Sequence, residues 1–145
     1  MPQTGDRNDP FAAFNFLVDI GGAVAGFSEC SGLTTESDVI EYRNGNEDIT
    51  VRKLPGLKKF TAIVLKRGYT NSKELWDWRK KVIDGKTERR DGTITLLNEA
   101  RQTALQWNFY FGWPSKWEGP TLNAKTNDAA IETLTITLEK LELVE

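Results

Sequence analysis

The run AAIETLTITLEKLELV at residues 129–144 puts Ala130, Leu134, Ile136 and Leu138 on one parity and Thr133, Thr135, Thr137 and Glu139 on the other. A period of two sends the two sets to opposite faces of a strand, and threonines interleaved with aliphatics favour strand over helix. The run greatly exceeds the roughly 5–6 residues of a typical strand. Its phase also flips, because Leu141 and Leu143 fall on the other parity. A bulge near Glu139-Lys140 would keep one apolar face continuous. A chain carrying such a run is committed to a half-buried sheet.

The same period recurs upstream. FNFLVDI (14–20) alternates, Gly21-Gly22 suits a primed hairpin turn, and AVAGFSEC (23–30) reads as the returning strand. DVIEYR (38–43), FTAIVLKR (60–67), TITLLN (93–98) and ALQWNFYF (104–111) follow, the last with Leu105, Trp107, Phe109 and Phe111 on one face. Between them the basic stretch 47–59, with its Pro55-Gly56 turn signal, reads as an extended loop leaving the core.

One segment has helical spacing. NSKELWDWRKKVID (71–84) aligns Leu75, Trp78 or Arg79, and Val82. Asn71 and Glu74 fit a capping box, and Gly85 fits a stop. Trp76 and Trp78, two apart, must point to different sides of that helix. The expectation is a mainly β chain: an antiparallel β-sandwich or barrel of about seven strands, one flanking α-helix (71–84) and the loop 47–59. Residues 1–145 form one domain, with residues 1–10 a flexible N-terminal arm.

Composition then narrows the chemistry. The chain has no histidine, which removes the Ser-His-Asp and Cys-His arrangements and the commonest general base at neutral pH. Asp84-Gly85-Lys86-Thr87 resembles part of a phosphate-binding loop, but Lys80 stands where that loop needs its first glycine. Cys30 is the single cysteine, so no intrachain disulfide forms. No catalytic residue, cofactor or metal is expected. A net charge of −2 gives no general grip on nucleic acid, and no run is long and apolar enough for a membrane anchor. The polar N-terminus has no apolar signal-peptide core behind it, which predicts synthesis in a cytoplasm without export.

The stretch GWPSKWEGP (112–120) offers two readings. Trp113 and Trp117 could stack on a sugar, making the chain a monomeric carbohydrate-binding module. Alternatively Pro114 and Pro120 stiffen a corner, and the tryptophans cover a barrel edge or a subunit seam.

The ordered set GFSECSGL (26–33), EYRNGN (41–46), KLPGLKK (53–59), LKRG (65–68), LWDW (75–78), RRDG (89–92) and WPSKWEGPTLNA (113–124), closed by AIETLTITLEKLEL (130–143), resembles the tube proteins of contractile phage tails and phage-tail-like contractile injection systems. The type VI secretion tube protein is a distant relation. The resemblance implies a structural subunit that forms homohexameric rings. These stack into a hollow tube, assembled in the bacterial cytoplasm and carried in a virion tail or a released phage-tail-like particle. Sheath contraction then drives the tube through a target envelope to deliver protein or DNA cargo. It also implies sheath, baseplate or hub, tape-measure and terminator or cap partners, and cargo in the lumen.

On that resemblance, Arg52, Lys53, Leu54, Pro55, Leu57, Lys58 and Lys59 are candidates for contact between subunits or rings. Trp76, Trp78, Trp113 and Trp117 join them. Thr133, Thr135, Thr137 and Glu139 are candidates for the lumen face.

Overall fold

The structure, a computed structural model, describes residues 15–21, 23–43, 45, 51–68, 72–125 and 129–144. The residues 1–10 expected as an arm, Asn71 expected as a helix cap, and residues 46–50 lie outside them. The elements run β1 (Phe16–Ile20), β2 (Ala23–Ala25), β3 (Glu29–Ser31), β4 (Thr35–Tyr42), β5 (Arg52–Phe60), β6 (Ile63–Gly68), α1 (Glu74–Ile83), β7 (Arg90–Leu97), β8 (Thr103–Glu118), β9 (Ile131–Thr137) and β10 (Lys140–Val144). Every strand pairing is antiparallel.

Three strands more than expected arise from three local causes. The run 23–30 is cut in two, because β2 returns along β1 while β3 crosses to pair with β6. The run 129–144 is cut at Leu138-Glu139, close to where its phase flips. The excursion 47–59 is not loop throughout: residues 52–60 form β5, which pairs with β4 as a separate two-stranded ribbon. Pro55 and Gly56 lie inside this strand, beside a register shift between Ser37 and Val39.

The other eight strands form one sheet in the order β2-β1-β7-β8-β9-β6-β3, with β10 also on β8. This sheet folds over itself, so Val18, Ile94 and Phe109 from one half share a core with Ile63, Leu65, Leu134 and Ile136 from the other. β8 belongs to both halves. Its first part lies between β7 and β10, and its last part pairs with β9.

The fold-over happens at Phe111. That residue has φ 55, in the left-handed region, and its side chain turns outward to 53% exposure. Phe111 therefore leaves the face expected to hold Leu105, Trp107, Phe109 and Phe111, and beyond it Gly112 and Pro114 point inward. One residue of positive φ has shifted the strand's parity, as a bulge does. The break between β9 and β10 lies alongside, with the Glu139 N–H donating to the Tyr110 carbonyl at 3.1 Å. Both strands thus turn the corner together.

Glycine is required at this corner. A Cβ on Gly112 would come within 2.8 Å of the Phe109 ring, and one on Gly92, from β7, within 2.2 Å.

Helix α1 covers the edge of β8 that no strand occupies beyond the corner. Its Arg79 Nη1 donates to the Pro114 carbonyl at 3.1 Å. Leu75 and Trp78 face the core, and the Trp78 indole N–H donates to the Glu88 carbonyl at 2.8 Å. Glu74 and Asp77 in the first turn and Lys80 and Lys81 in the last suit the helix dipole. The start differs from the expected capping box: Lys73 occupies the N-cap with no side-chain cap bond. The end agrees, with Gly85 at φ 80, its N–H on the Val82 carbonyl and the Lys86 N–H on the Lys81 carbonyl. The fragment 84–87 is thus a helix stop and not a phosphate loop.

Candidate assembly surfaces

The β4–β5 ribbon leaves the sheet at a narrow root, where the Thr61 N–H donates to the Thr34 carbonyl at 3.1 Å. An isolated two-stranded ribbon is marginal in water. This one also exposes Val39, Ile40, Tyr42, Val51, Leu54 and Leu57, the last to 75%. Arg52, Lys53, Pro55, Lys58 and Lys59 are exposed as well, so the expected contact residues of this segment stand together on one projecting arm. Lys59 Nζ pairs with Asp38 at 2.9 Å, and that hydrogen bond raises the lysine above its ordinary pKa. Exposed apolar side chains at this density make the ribbon a candidate interaction surface.

The tryptophans divide. Trp78 is 1% exposed and belongs to this subunit's own core, so it is withdrawn from the contact set. Trp76 stands at the helix surface with its ring 5.0 Å from that of Trp117, tilted by 60°. Together with Lys73, Asp77 and Lys80 they border a shallow depression.

Trp113 and Trp117 do not share a face. A register shift between Pro114 and Lys116 sets Trp113 opposite Thr137, on the outer side, and Trp117 opposite the buried Leu134. The Trp117 N–H is engaged by Glu132 at 3.2 Å. Two indoles on opposite sides of a sheet give no common platform for a sugar ring, and the carbohydrate reading falls on that geometry.

Thr133, Thr135 and Thr137 do share the outer face of β9, half-buried, with Lys66, Glu118, Lys116 and Trp113 on the adjoining strands. Ser115 Oγ donates to the Thr135 carbonyl at 3.3 Å, and the Thr137 hydroxyl donates to Ser115 Oγ at 2.8 Å. Glu139 is not part of this row, because it lies in the break after β9.

A buried ion pair was not expected. Arg67 and Glu132 sit directly opposite each other on the core side of β6 and β9 and pair through Arg67 Nε and Glu132 Oε1. The Arg67 guanidinium also lies 5.7 Å from the Phe27 ring centroid. Its Nη2 is buried without a hydrogen-bond partner. Parity carried the signal: Arg67 follows Ile63 and Leu65, and Glu132 precedes Leu134 and Ile136, each at intervals of two.

At the seam between β3 and the β1–β7–β8 face lies an apolar cavity of about 340 Å³ lined by Phe16, Cys30, Leu33, Ile94, Leu96 and Trp107. Burial pushes the Cys30 thiol up to about 11, so it is protonated at neutral pH and unsuited to nucleophilic work. Among the described residues no three histidine, cysteine or carboxylate side chains gather as a metal site. No described helix is long and apolar enough to cross a membrane.

Comparison with known proteins agrees with this arrangement. The family model described as T4-like virus tail tube protein gp19 matches residues 12–142. A chain of the PVC sheath/tube terminator of an extracellular contractile injection system, in the extended state, is 29% identical. It superposes with a TM-score of 0.88 over 95% of this chain and 99% of that one. A chain of the PVC sheath-tube complex is also 29% identical, with a TM-score of 0.86 over 94% and 93%. Hcp1 from Flavobacterium johnsoniae, 17% identical, shares the fold with a TM-score of 0.59 over 90% and 94%. No curated protein sequence gives a significant match.

Proposed function

The chain belongs to the T4-like virus tail tube protein gp19 family, and on that premise we propose that it is the repeating subunit of the inner tube of a contractile injection apparatus. Copies close into hexameric rings, and the rings stack into a hollow tube inside a sheath. Contraction of the sheath drives the tube into a target envelope with its cargo. The role is mechanical and does not use an active site. Sheath, baseplate and terminator or cap proteins are its partners in the released particle.

The single observation that carries this reading is the ribbon. Six exposed apolar side chains on a two-stranded arm make sense only if a neighbouring subunit covers them. Arg52, Lys53 and Lys58 then meet carboxylates across the contact, and fixed charge pairs set register more than affinity. Trp76, supported by Trp117, is the outward anchor of the helix toward a neighbour or the sheath. The row Thr133, Thr135, Thr137 faces the lumen together with its neighbours Lys66, Lys116, Glu118 and Trp113, a largely polar wall along which cargo slides.

Electron microscopy of the purified chain tests the reading, with rings or tubes as the expected result. A second arm removes residues 36–59 and joins Thr35 to Phe60, which are already paired across the ribbon root. The shortened chain should melt cooperatively and remain dispersed. A strictly monomeric full chain at high concentration, or normal tubes from the shortened one, would sink the proposal.

A further inference from the structure

Two features at opposite ends of the folded sheet fit each other. The first is Phe111. The corner in β8 needs one residue of positive φ, a place suited to glycine and poorly suited to a bulky side chain. Glycine at 111 would serve the fold, yet the chain puts a phenylalanine there and leaves half its ring in solvent. Asp91 holds the knob in place by accepting the Phe111 N–H at 3.0 Å. Strain at a bulky exposed residue points to a use outside the subunit.

The second is the cavity walled by Phe16, Cys30, Leu33, Leu96 and Trp107. It is open to solvent on one side and has room for a phenyl ring, which an enclosed void of roughly 150 Å³ already accepts. Its place is fixed by register. Phe16 pairs with Leu96 at one end of the β1–β7 ladder, whereas Ile20 pairs with Gly92 and Arg90 with Gly112 at the other. At a strand rise of about 3.3 Å per residue, knob and hole are separated by roughly 13–20 Å along the strands.

One pair of opposite charges is available across such a contact, apart from Glu29, which lines the hole and already pairs with Lys66 at 3.3 Å. The knob end carries the Asp91 carboxylate. The hole end carries Arg101, which donates to Asn15 Oδ1 at 3.2 Å beside Phe16.

We propose that Phe111 of one subunit enters the Phe16–Leu96–Trp107 cavity of a second copy in the adjoining ring, with Asp91 meeting Arg101 across the contact. The inference rests on the tube reading and specifies how its rings stack. A knob at one end and a hole at the other make a head-to-tail contact, the type that repeats along an axis when its rotation does not close a ring.

Cys30 provides the test, because it is the single cysteine and lines the hole. In tubes of the unaltered chain, alkylation of Cys30 should slow roughly tenfold or more relative to dispersed subunits, because the phenyl ring fills the approach. Tubes of Phe111→Cys treated with a short bis-maleimide should give a ladder of dimers, trimers and longer species. Adding Cys30→Ser should abolish the ladder. If Phe111→Cys melts like the parent and closes into rings but stays out of tubes, the axial assignment is equally supported. If it stays out of rings too, the contact is lateral and the proposal fails.

Normal tubes in which Cys30 reacts as fast as in dispersed protein would overturn it and leave the tube reading standing. So would crosslinking to Cys30 from Leu57→Cys on the ribbon instead of from Phe111→Cys. An unaltered chain that forms no tubes removes both.

Discussion

Replacing Glu132 with alanine should destabilise the dispersed subunit by about 3–5 kcal/mol, the cost of removing one member of a buried ion pair. The structure explains why the upper part of that range applies. Arg67 and Glu132 are 9% and 2% exposed, and Arg67 already has Nη2 without a partner. The substitution would leave its whole guanidinium uncompensated among Phe27, Leu65 and Leu134. The Trp117 N–H would lose its bond to Glu132 in the same step.

Against a typical total of about 5–15 kcal/mol, this is about a quarter or more of the stability, or a melting point lower by roughly 10–20 °C. Urea unfolding followed by far-ultraviolet circular dichroism is the assay, since Trp117 fluorescence would change for local reasons. The paired replacement Arg67→Met with Glu132→Leu should return to within about 1 kcal/mol of the parent, because an apolar pair removes the desolvation cost along with the attraction. Added salt should change neither result much, the pair being shielded from solvent. A single variant within about 1 kcal/mol of the parent, or a double as damaged as the single, would refute the reasoning.

Gly92→Ala should cost about 1–3 kcal/mol by driving a methyl group into the Phe109 ring, measurable by the same unfolding curve. At position 111, glycine should be more stable than alanine by about 1 kcal/mol, the reverse of the usual strand preference, because φ is 55 there. With its pKa near 11 against 9.0 for an ordinary thiol, Cys30 in dispersed protein should be alkylated at pH 8 roughly a hundredfold more slowly than a free thiol. That rate should still climb above pH 10, whereas a plateau near pH 9 would contradict it. In intact tubes, Thr135→Cys should react with a small maleimide and resist a polymer-linked one too large to enter the lumen. Equal reaction with both would place that row on the outside.

The elements with a water face and a core face were legible from parity alone. β1, β6, β7 and β9 stand where their alternation put them, and the flip near Glu139-Lys140 foretold the break at Leu138-Glu139. The matching break in β8 was invisible, since nothing in FYFGWP marks Phe111 over Gly112 as the residue of positive φ. That also hid the separation of Trp113 from Trp117, which depends on a second register shift at Ser115.

The ribbon reads as loop in the sequence for a physical reason. With no core beneath it, neither strand needs an apolar–polar alternation, and Pro55-Gly56 looks like a turn. Its exposed leucines and lysines stand out in the sequence all the same, because leucines between lysines are conspicuous wherever the backbone runs. Arg67 and Glu132 escape a reading by residue type although both sit on the inward parity of their strands.

A tube driven end-on into an envelope bears compressive and shearing load. In most two-layer β folds the layers are joined by side-chain packing and can slide over each other. Here Thr103–Glu118 is one strand stitched by backbone hydrogen bonds to β7 and β10 in one layer and to β9 in the other. Sliding one layer past the other would require rupturing a ladder or stretching a covalent chain. The subunit is therefore braced by its main chain at Phe111, the point where the layers meet.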